Sequence, residues 1–219
     1  MLPGSGPTAR PTPVLLVHQT AYCYGGDADP SVPGGITAIY RDLVADDRRT
    51  RQITADVAVA LPRGRNCLVL TNWTAHLQKL ADMLGEMGHD PVVLRGGMGA
   101  RSRAAALDRL QPSPDGPPLL VVATGPYAGE GFDCPALDTL FLAAPISFKG
   151  RLVQYAERIL RPCDGKTTAE IHDYHDTLTC VLSAALAKRA PGYTGLGFPD
   201  PRRLSPTPSA SAADADLVM

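Results

Sequence analysis

The stretch Cys-Leu-Val-Leu-Thr occupies residues 67–71 and is followed, after Asn-Trp, by a longer segment at residues 74–87. The first is a short, continuous apolar run, which is typical of a strand buried on both faces. The second repeats apolar side chains at helical spacing, at Leu77, Leu80, Ala81, Leu84 and Met87. Gly88 is positioned to end such a helix. The two segments therefore predict a strand and a helix, the repeating unit of a parallel sheet.

The same alternation continues towards the C-terminus. Strands are predicted at residues 91–95, 119–124, 137–143 and 170–174, and helices at residues 100–110 and 150–161. Because parallel strands need crossovers of this length, the pattern predicts an α/β fold with a mostly parallel sheet and helices on both faces. Ligands bind such sheets at the carboxyl ends of the strands.

The remaining segments suggest how the chain is divided. Residues 1–13 are rich in Pro and Gly, and residues 198–219 are rich in Pro, Ser, Ala and Asp, so disorder is expected at both ends. Residues 14–62 contain a short predicted strand and one or two predicted helices, and we interpret them as a connector. Residues 63–197 then form a single domain.

Composition excludes several classes of protein. The chain carries a formal net charge of −1, which gives no general affinity for polyanions, so any nucleic-acid contact must be local. The five cysteines include no C-x-x-C pair, which argues against a disulfide framework and a zinc ribbon. His172 and His175 on a predicted strand would point to opposite faces, so no metal site is predicted. No run is long and apolar enough for a membrane span, and a cytoplasmic protein is expected.

The predicted helix at residues 150–161 contains the sequence Gln-Tyr-Ala-Glu-Arg-Ile-Leu-Arg at residues 154–161. Its apolar residues recur at helical spacing and would face the core, so Gln154, Arg158 and Arg161 would lie on the opposite side. Two neighbouring guanidinium groups suit a polyphosphate, because each can donate paired hydrogen bonds to phosphate oxygens. A solvated basic face explains the same pattern, and spacing alone leaves both interpretations open.

Two glycine-rich loops follow predicted strands. Residues 125–133, Gly-Pro-Tyr-Ala-Gly-Glu-Gly-Phe-Asp, would let backbone amides approach a ligand closely, although a structural turn is the more frequent explanation. Residues 95–99, Arg-Gly-Gly-Met-Gly, precede a predicted helix that carries Arg101, Arg103 and Arg109. That helix could present its N-terminus and its arginines to phosphates, but the same strip is typical of a solvated helix.

Rival nucleotide-binding and catalytic motifs are incomplete. The segment at residues 97–102, Gly-Met-Gly-Ala-Arg-Ser, lacks the last glycine of a dinucleotide fingerprint. Gly165-Lys166-Thr167 resembles the end of a phosphate-binding loop, but Leu160 occupies the position of its first glycine. No Gly-x-Ser-x-Gly elbow supports a serine hydrolase. None of these motifs therefore assigns a function.

Taken in order, three segments resemble sequence blocks of the second RecA-like lobe of superfamily-two helicases, the DEAD/DEAH-related group. Residues 68–71 resemble motif IV, residues 124–133 resemble motif V, and residues 154–161 resemble motif VI, which usually reads Gln-x-x-Gly-Arg-x-x-Arg. The resemblance covers residues 14–197. Within it, residues 93–99 and the terminal Gly-Tyr-x-Gly-Leu-Gly are similar to helicases of TOTE-type prokaryotic conflict systems.

The resemblance implies a RecA-like fold for residues 63–197, related to that of P-loop NTPases but without a P-loop. In this family ATP and a nucleic-acid strand bind between two lobes, and the second lobe supplies arginine fingers. Arg161 would be the finger on the γ-phosphate, with Arg158 and Gln154 beside it in the cleft. Two further residues would contact the nucleotide, Gly131 and Asp133. The residues implied to contact a DNA or RNA backbone are Thr71, Arg95, Gly96, Thr124 and Gly125.

The resemblance also implies what this chain lacks. The Walker lysine and the Mg²⁺-binding acids belong to the first lobe, so ATP with Mg²⁺ is expected only together with a first-lobe partner. The chain would then be one half of a helicase, as a split subunit or a truncated fragment. A non-enzymatic module that binds nucleic acid or protein through residues 95–109 is the alternative, and a free-standing nucleotide or cofactor enzyme is a third.

Two positions depart from the family pattern. The segment between Thr124 and Asp133 is one residue longer than in the common DEAD-type motif V, so either Thr124 or Gly125 takes the backbone-contact role. Glu157 replaces the glycine of motif VI, and it precedes Arg161 by one helical turn, an arrangement that favours an ion pair between them. We hypothesise that Glu157 draws the finger aside and lowers ATP turnover.

Overall fold

A parallel sheet of six strands organises the part of the chain that the structure describes. The computed structural model describes residues 9–111, 116–125, 133–145 and 149–208. The strand order is β1-β6-β5-β2-β4-β3, and every neighbouring pair is parallel. The strands are β1 Thr12–Gln19, β2 Cys67–Thr71, β3 Val92–Leu94, β4 Leu120–Thr124, β5 Thr139–Leu142 and β6 Thr168–His175. The predicted α/β fold with a parallel sheet is confirmed.

Helices connect and flank these strands. The described helices are α1 Gly35–Ala45, α2 Asp47–Ala60, α3 Thr74–Glu86, α4 Ala100–Asp108, α5 Lys149–Ile159 and α6 Cys180–Gly195, with 3-10 turns at Leu61–Arg63 and Pro201–Arg203. The helices α3, α4 and α5 begin within one residue of their predicted starts. Helix α6 was not predicted; it contains Pro191 and Gly192, residues that weaken a helix. None of the described helices has the length and apolarity needed to cross a membrane.

The strands distribute their side chains between two apolar layers. Leu68 and Leu70 of β2 pack in one layer with α5 and α6, whereas Cys67 and Val69 pack in the other with α2 and α3. Every residue of β2 is buried, so this strand lies between two layers of helices. Burial on both faces explains why its sequence is uninterrupted by polar residues until Thr71.

The strand β1 makes the N-terminal segment part of the sheet. It is longer than the strand expected at residues 14–18, and it pairs with β6 along its whole length. Helix α2 packs Ile53 and Val57 into the same apolar layer as α3. The connector predicted at residues 14–62 therefore contributes an edge strand and a core helix, and its boundary with the domain stays a prediction. Residues 1–8 lie outside the described part of the chain.

The segment that follows α6 folds back onto β1. Phe198 is buried in the core, and Leu204 packs against the same apolar cluster. The amide of Thr207 donates to a carbonyl of β1 at 2.7 Å. The composition predicts disorder from residue 198, but the segment contacts the rest of the domain as far as Thr207, because a few apolar side chains anchor a Pro-rich segment. Residues 209–219 lie outside the described residues.

Buried ion pairs attach helices to β6. Arg189 of α6 donates to both carboxylate oxygens of Asp173, at 2.9 and 2.8 Å, and the Tyr193 hydroxyl donates to the same carboxylate at 2.7 Å. Arg49 of α2 donates to Asp176, which follows β6, at 2.8 Å. The exposed fraction is 6% for Arg189 and 2% for Arg49. Each buried cation therefore has a carboxylate partner, without which its burial would be strongly unfavourable.

A buried histidine pair links β1 to β6. Nε2 of His18 and Nδ1 of His172 are 2.9 Å apart, and Nδ1 of His18 is 3.5 Å from the carboxylate of Asp56 in α2. The Tyr174 hydroxyl donates to the same carboxylate at 3.0 Å. Burial lowers the pKa of His18 to about 4, and it also lowers the pKa of His172. Both imidazoles are therefore neutral near pH 7.

Candidate functional site

The carboxyl ends of three neighbouring strands meet helix α5 around Gly125. A Cβ atom at Gly125 would lie 2.6 Å from the Tyr155 hydroxyl of α5 and 2.9 Å from Oδ1 of Asn72, which follows β2. A side chain at this position would displace one of them, so glycine permits the close approach. Nδ2 of Asn72 donates to the carbonyl of Pro145, after β5, at 3.3 Å. The three loops converge at the edge where parallel sheets bind ligands.

Helix α5 has the two faces that its sequence predicts. Leu152, Ala156 and Ile159 are completely buried. Gln154 and Glu157 are exposed. A helical repeat of about 3.6 residues separates these two sets, so the polar stripe of α5 is directed away from the core.

Arg161 follows the end of α5, and its side chain is 46% exposed. Its guanidinium forms an ion pair with the carboxylate of Asp133. Arg158 lies half-buried in the last turn of the helix. Burial, together with the positive charge of Arg161, lowers the pKa of Arg158, so the two guanidinium groups are electrostatic neighbours. The structure therefore brings together two predicted arginines and one predicted nucleotide contact.

Lys166, which the sequence associates only with an incomplete phosphate-binding loop, lies beside these residues. Its ammonium donates to the carbonyls of Arg161, Pro135 and Leu137, at 3.0, 2.9 and 2.6 Å. Burial lowers the pKa of Lys166 to about 8. Gly165, with a φ of 78°, forms the turn before it. The Asp-Gly pair in that turn is a recognisable sequence signal, but it does not reveal the partners of the lysine.

Two threonines predicted to contact nucleic acid end neighbouring strands. Thr71 lies opposite Thr124 in the register of β2 with β4. Only 2% of Thr71 and 7% of Thr124 is exposed. The Thr71 hydroxyl lies 2.9 Å from Nδ1 of His76, so it is already hydrogen-bonded within the chain. A contact with a sugar-phosphate backbone would have to come from main-chain amides here, and both roles stay predictions.

Arg95 and Gly96 follow β3 and are exposed. Since β3 lies beside β4, both residues continue the row of loops along the carboxyl edge of the sheet. Helix α4 comes next, and none of its residues is buried. Arg101 of that helix is exposed. Arg109, by contrast, is paired with Asp90 at 2.7 Å, so part of the predicted basic strip is already neutralised.

Three solved structures with similar folds are SrmB, UvsW and LlaBIII. The E. coli DEAD-box protein SrmB, bound to the regulator of ribonuclease activity A, matches over 84% of this chain and 86% of its own, with 17% identity and a TM-score of 0.54. T4 UvsW matches over 75% of this chain, with 17% identity and a TM-score of 0.53. The ATP-dependent type ISP restriction-modification enzyme LlaBIII, bound to DNA, matches over 74% of this chain and 12% of its own, with 18% identity and a TM-score of 0.51.

This chain shares the fold of these three proteins, a RecA-like α/β fold with a parallel sheet. The predicted fold is thereby confirmed. At these identities the likeness establishes the fold of the RecA-like domain and not its activity. The domain spans 32% of the UvsW chain and 43% of the C-terminal part of the Fun30 ATPase domain. No protein-family model and no curated protein matches the sequence, and the TOTE-type subfamily stays a prediction.

Positively charged side chains lie near the carboxyl edge of the sheet, where they could bind an anionic ligand. The guanidinium groups of Arg158 and Arg161 can donate to phosphate oxygens, and Asp133 can accept from hydroxyl groups. Among the described residues, no group of three or more His, Cys, Asp or Glu side chains is placed to hold a metal ion. Gly131, the other predicted nucleotide contact, lies outside the described residues. The described guanidinium groups can therefore bind an anionic group such as a phosphate.

Proposed function

We propose that this RecA-like domain is the second lobe of an ATP-dependent nucleic-acid helicase or translocase, and that it acts together with a Walker-containing first lobe. The observation that carries the proposal is the position of Arg158 and Arg161 beside Asp133. Arg158 lies in the last turn of α5 and Arg161 just after its end, and the two charges are close enough to interact. An ordinary solvated helix face needs neither the partial burial of Arg158 nor the ion pair of Arg161.

The arginines would act on the phosphates of a nucleotide held mainly by the other lobe. Arg161 would stabilise the negative charge that develops on a transferring γ-phosphoryl group, because its guanidinium is always charged and donates several hydrogen bonds. For this it exchanges the carboxylate of Asp133 for phosphate oxygens. Asp133, with Gly131, then contacts the nucleotide. Arg158 adds a second positive charge, and Gln154, exposed on the same stripe, completes the row.

The loops after β2, β4 and β3 would hold the sugar-phosphate backbone of DNA or RNA. The side chains of Thr71 and Thr124 are buried, so their contribution, like that of Gly96 and Gly125, would come from main-chain amides. Arg95 is exposed at the end of this row and would supply charge. Contacts of this kind give affinity without sequence preference, and that affinity falls as the salt concentration rises.

The proposed partner is a first lobe that carries a phosphate-binding loop and acids for Mg²⁺. ATP with Mg²⁺ would bind between the two lobes, and this domain alone would bind it weakly. LlaBIII is described as ATP-dependent and is bound to DNA, which supports the proposed class of activity. The domain would meet its first lobe either as a separate subunit or as part of a longer parent protein.

The proposal is tested by ATP hydrolysis in a mixture with a candidate first lobe, such as the product of an adjacent reading frame that encodes a phosphate-binding loop. Single-stranded DNA or RNA should stimulate hydrolysis. Arg161→Ala should lower kcat by about 10³-fold or more, the usual contribution of an arginine finger. The matched control is Arg151→Ala, an exposed arginine of the same helix, which should leave kcat nearly unchanged. Glu157→Gly should raise kcat if Glu157 draws the finger aside.

Two results would count against a helicase lobe. If Arg161→Ala hydrolyses ATP as fast as the unaltered protein, Arg161 is not a finger. If the affinity between the two proteins does not respond to ATP and nucleic acid together, the domain is a non-enzymatic interaction module. Binding of DNA by this chain alone, lost on Arg95→Ala and Arg101→Ala, would favour that second function.

A further inference from the structure

Lys166 connects the two segments that carry Arg161 and Asp133. An ammonium group has three donors, and Lys166 directs them to the carbonyls of Arg161, Pro135 and Leu137. One acceptor belongs to the residue that bears the proposed finger. The other two belong to the segment that begins with Asp133. The side chain of Lys166 therefore links the end of α5 to this segment by hydrogen bonds to main-chain carbonyls of both.

This contact differs from the ion pair between the same two segments. The side chain of Arg161 bonds to Asp133, whereas Lys166 bonds to the main chain of Arg161. A phosphate that attracted the guanidinium would compete with Asp133 for it, whereas the lysine contact does not involve the guanidinium. Beyond the end of α5, the amide of Arg161 donates to the carbonyl of Arg158 at 3.3 Å, in a single turn. The bonds of Lys166 are therefore a second set of contacts that can hold this main chain when the guanidinium moves.

We propose that Lys166 is a positioning residue, which holds the main chain of Arg161 against the 133–138 segment while the guanidinium exchanges Asp133 for a phosphate. The inference rests on the proposed function for the role of Arg161, but the contact itself can be tested without it. Misplacing a catalytic group by about 1 Å can lower a rate by about 100-fold, so an anchor at this point affects catalysis.

The chemistry of the contact makes it specific for lysine. Three carbonyl oxygens converge on one nitrogen, and a compact ammonium on a flexible stem satisfies all of them. An arginine places its donors in a rigid planar fork, so Lys166→Arg keeps the charge but not the three-way contact. Lys166→Met keeps the apolar stem and removes every donor. The two variants therefore separate the charge from the geometry.

The first experiment measures amide hydrogen exchange in this chain alone, by mass spectrometry. Lys166→Met should accelerate exchange in peptides that contain the amides of Leu137 and Arg161, with the rest of the sheet unchanged. Lys166→Arg should do so to a smaller degree. Lys188→Met, which alters an exposed lysine on α6, is the matched control. Unchanged exchange at both amides in Lys166→Met would overturn the inference, and should that variant fail to fold, Lys166→Arg gives the same comparison.

The second experiment uses the two-lobe ATPase. Lys166→Met should lower kcat by about 10- to 100-fold with little change in the KM for ATP, as expected for misplacement rather than lost binding. Because Lys166 acts through Arg161, adding Lys166→Met to Arg161→Ala should cause no further loss, whereas independent roles would multiply. A full extra loss in the double variant would overturn the inference and leave the finger role intact. If no partner lobe yields ATP hydrolysis, the proposed function fails, and the exchange experiment still decides the contact.

Discussion

The centre of the sheet and its β1–β6 side are stabilised in different ways. In β2 and β4, every residue is buried, and the only polar side chains are the terminal Thr71 and Thr124. In β1 and β6, ionisable side chains are buried as well, among them His18, His172 and Asp173. The centre therefore depends on the size and shape of apolar groups, and the β1–β6 side depends on matched charges and hydrogen bonds.

This difference shows that strands at one edge of a parallel sheet can contain polar residues that are buried and paired. Two buried cations on the β1–β6 side each attach a helix: Arg189 attaches α6, and Arg49 attaches α2. Arg49 also donates to the carbonyl of Ala143, at the end of β5, at 2.5 Å. The carboxyl edge of the sheet is therefore supported by a polar network on one side and by apolar packing in the middle.

Breaking the charge network should cause the largest loss of stability. Arg189→Met leaves the carboxylate of Asp173 buried without its cation, which should lower the free energy of unfolding by about 3–5 kcal/mol. Urea denaturation followed by circular dichroism measures this change. The double variant Arg189→Met with Asp173→Asn should recover part of the loss, because no uncompensated charge remains. A single variant as stable as the unaltered protein would mean that the pair contributes nothing.

Creating a cavity in the centre should come next. Leu68 is completely buried, and Leu68→Ala should lower the free energy of unfolding by about 2–5 kcal/mol. Leu68→Met, which nearly conserves volume, should cost less than about 1.5 kcal/mol. The same denaturation experiment compares the two. If both variants lose equally, the centre does not depend on close packing in the way described.

Lowering the pH should destabilise the β1–β6 side of the sheet and should not affect its apolar centre. The pKa of His18 falls from 6.5 to about 4 on folding, so between these values the unfolded chain binds more protons than the folded one. The contribution of His18 to the free energy of unfolding should therefore be constant above pH 6.5 and should decrease as the pH falls towards 4. His18→Gln should make the free energy of unfolding less dependent on pH in this window, by up to the amount that corresponds to the binding of about one proton. Leu68→Ala, as the control, should shift the curve without changing its slope.

A surface ion pair should have the smallest effect. Asp90 and Arg109 lie 2.7 Å apart, as close as the buried pairs, but the side chain of Asp90 is 88% exposed. Asp90→Asn should change the free energy of unfolding by less than about 1 kcal/mol, because solvent screens exposed charges. Adding salt should abolish even this difference. A loss comparable to that of Arg189→Met would show that burial is not what distinguishes the two pairs.

Much of the local structure could be predicted, and the exceptions have identifiable causes. The apolar run of β2 and the helical spacing of α3 are strong signals, and both elements lie where expected. Helix α6 carries Leu182, Leu186, Ala190 and Tyr193 at helical spacing, so a signal for it existed and was interrupted by Pro191. The position of Phe198 was not predictable from its Pro-rich surroundings, because most of the apolar cluster that it joins belongs to the sheet and to α5 and α6.

The candidate site was predictable in part. The spacing of Arg158 and Arg161 places them about one helical turn apart, and this follows from the sequence alone. The burial of Thr71 and its bond to His76 could not be predicted, because alternation in a strand does not show which hydroxyl finds a partner. The contacts of Lys166 were missed for the same reason. Main-chain carbonyls leave no trace in a sequence pattern.

Most strands and helices, and the apolar side of each, follow from the amino-acid sequence, because they depend on periodicities of about 2 and 3.6 residues that neighbouring residues establish locally. The strand order β1-β6-β5-β2-β4-β3, the pairing of His18 with His172, and the ion pair of Arg161 with Asp133 depend on tertiary packing instead. These contacts join residues far apart in the chain, and they form only where packing of the whole sheet brings the segments together.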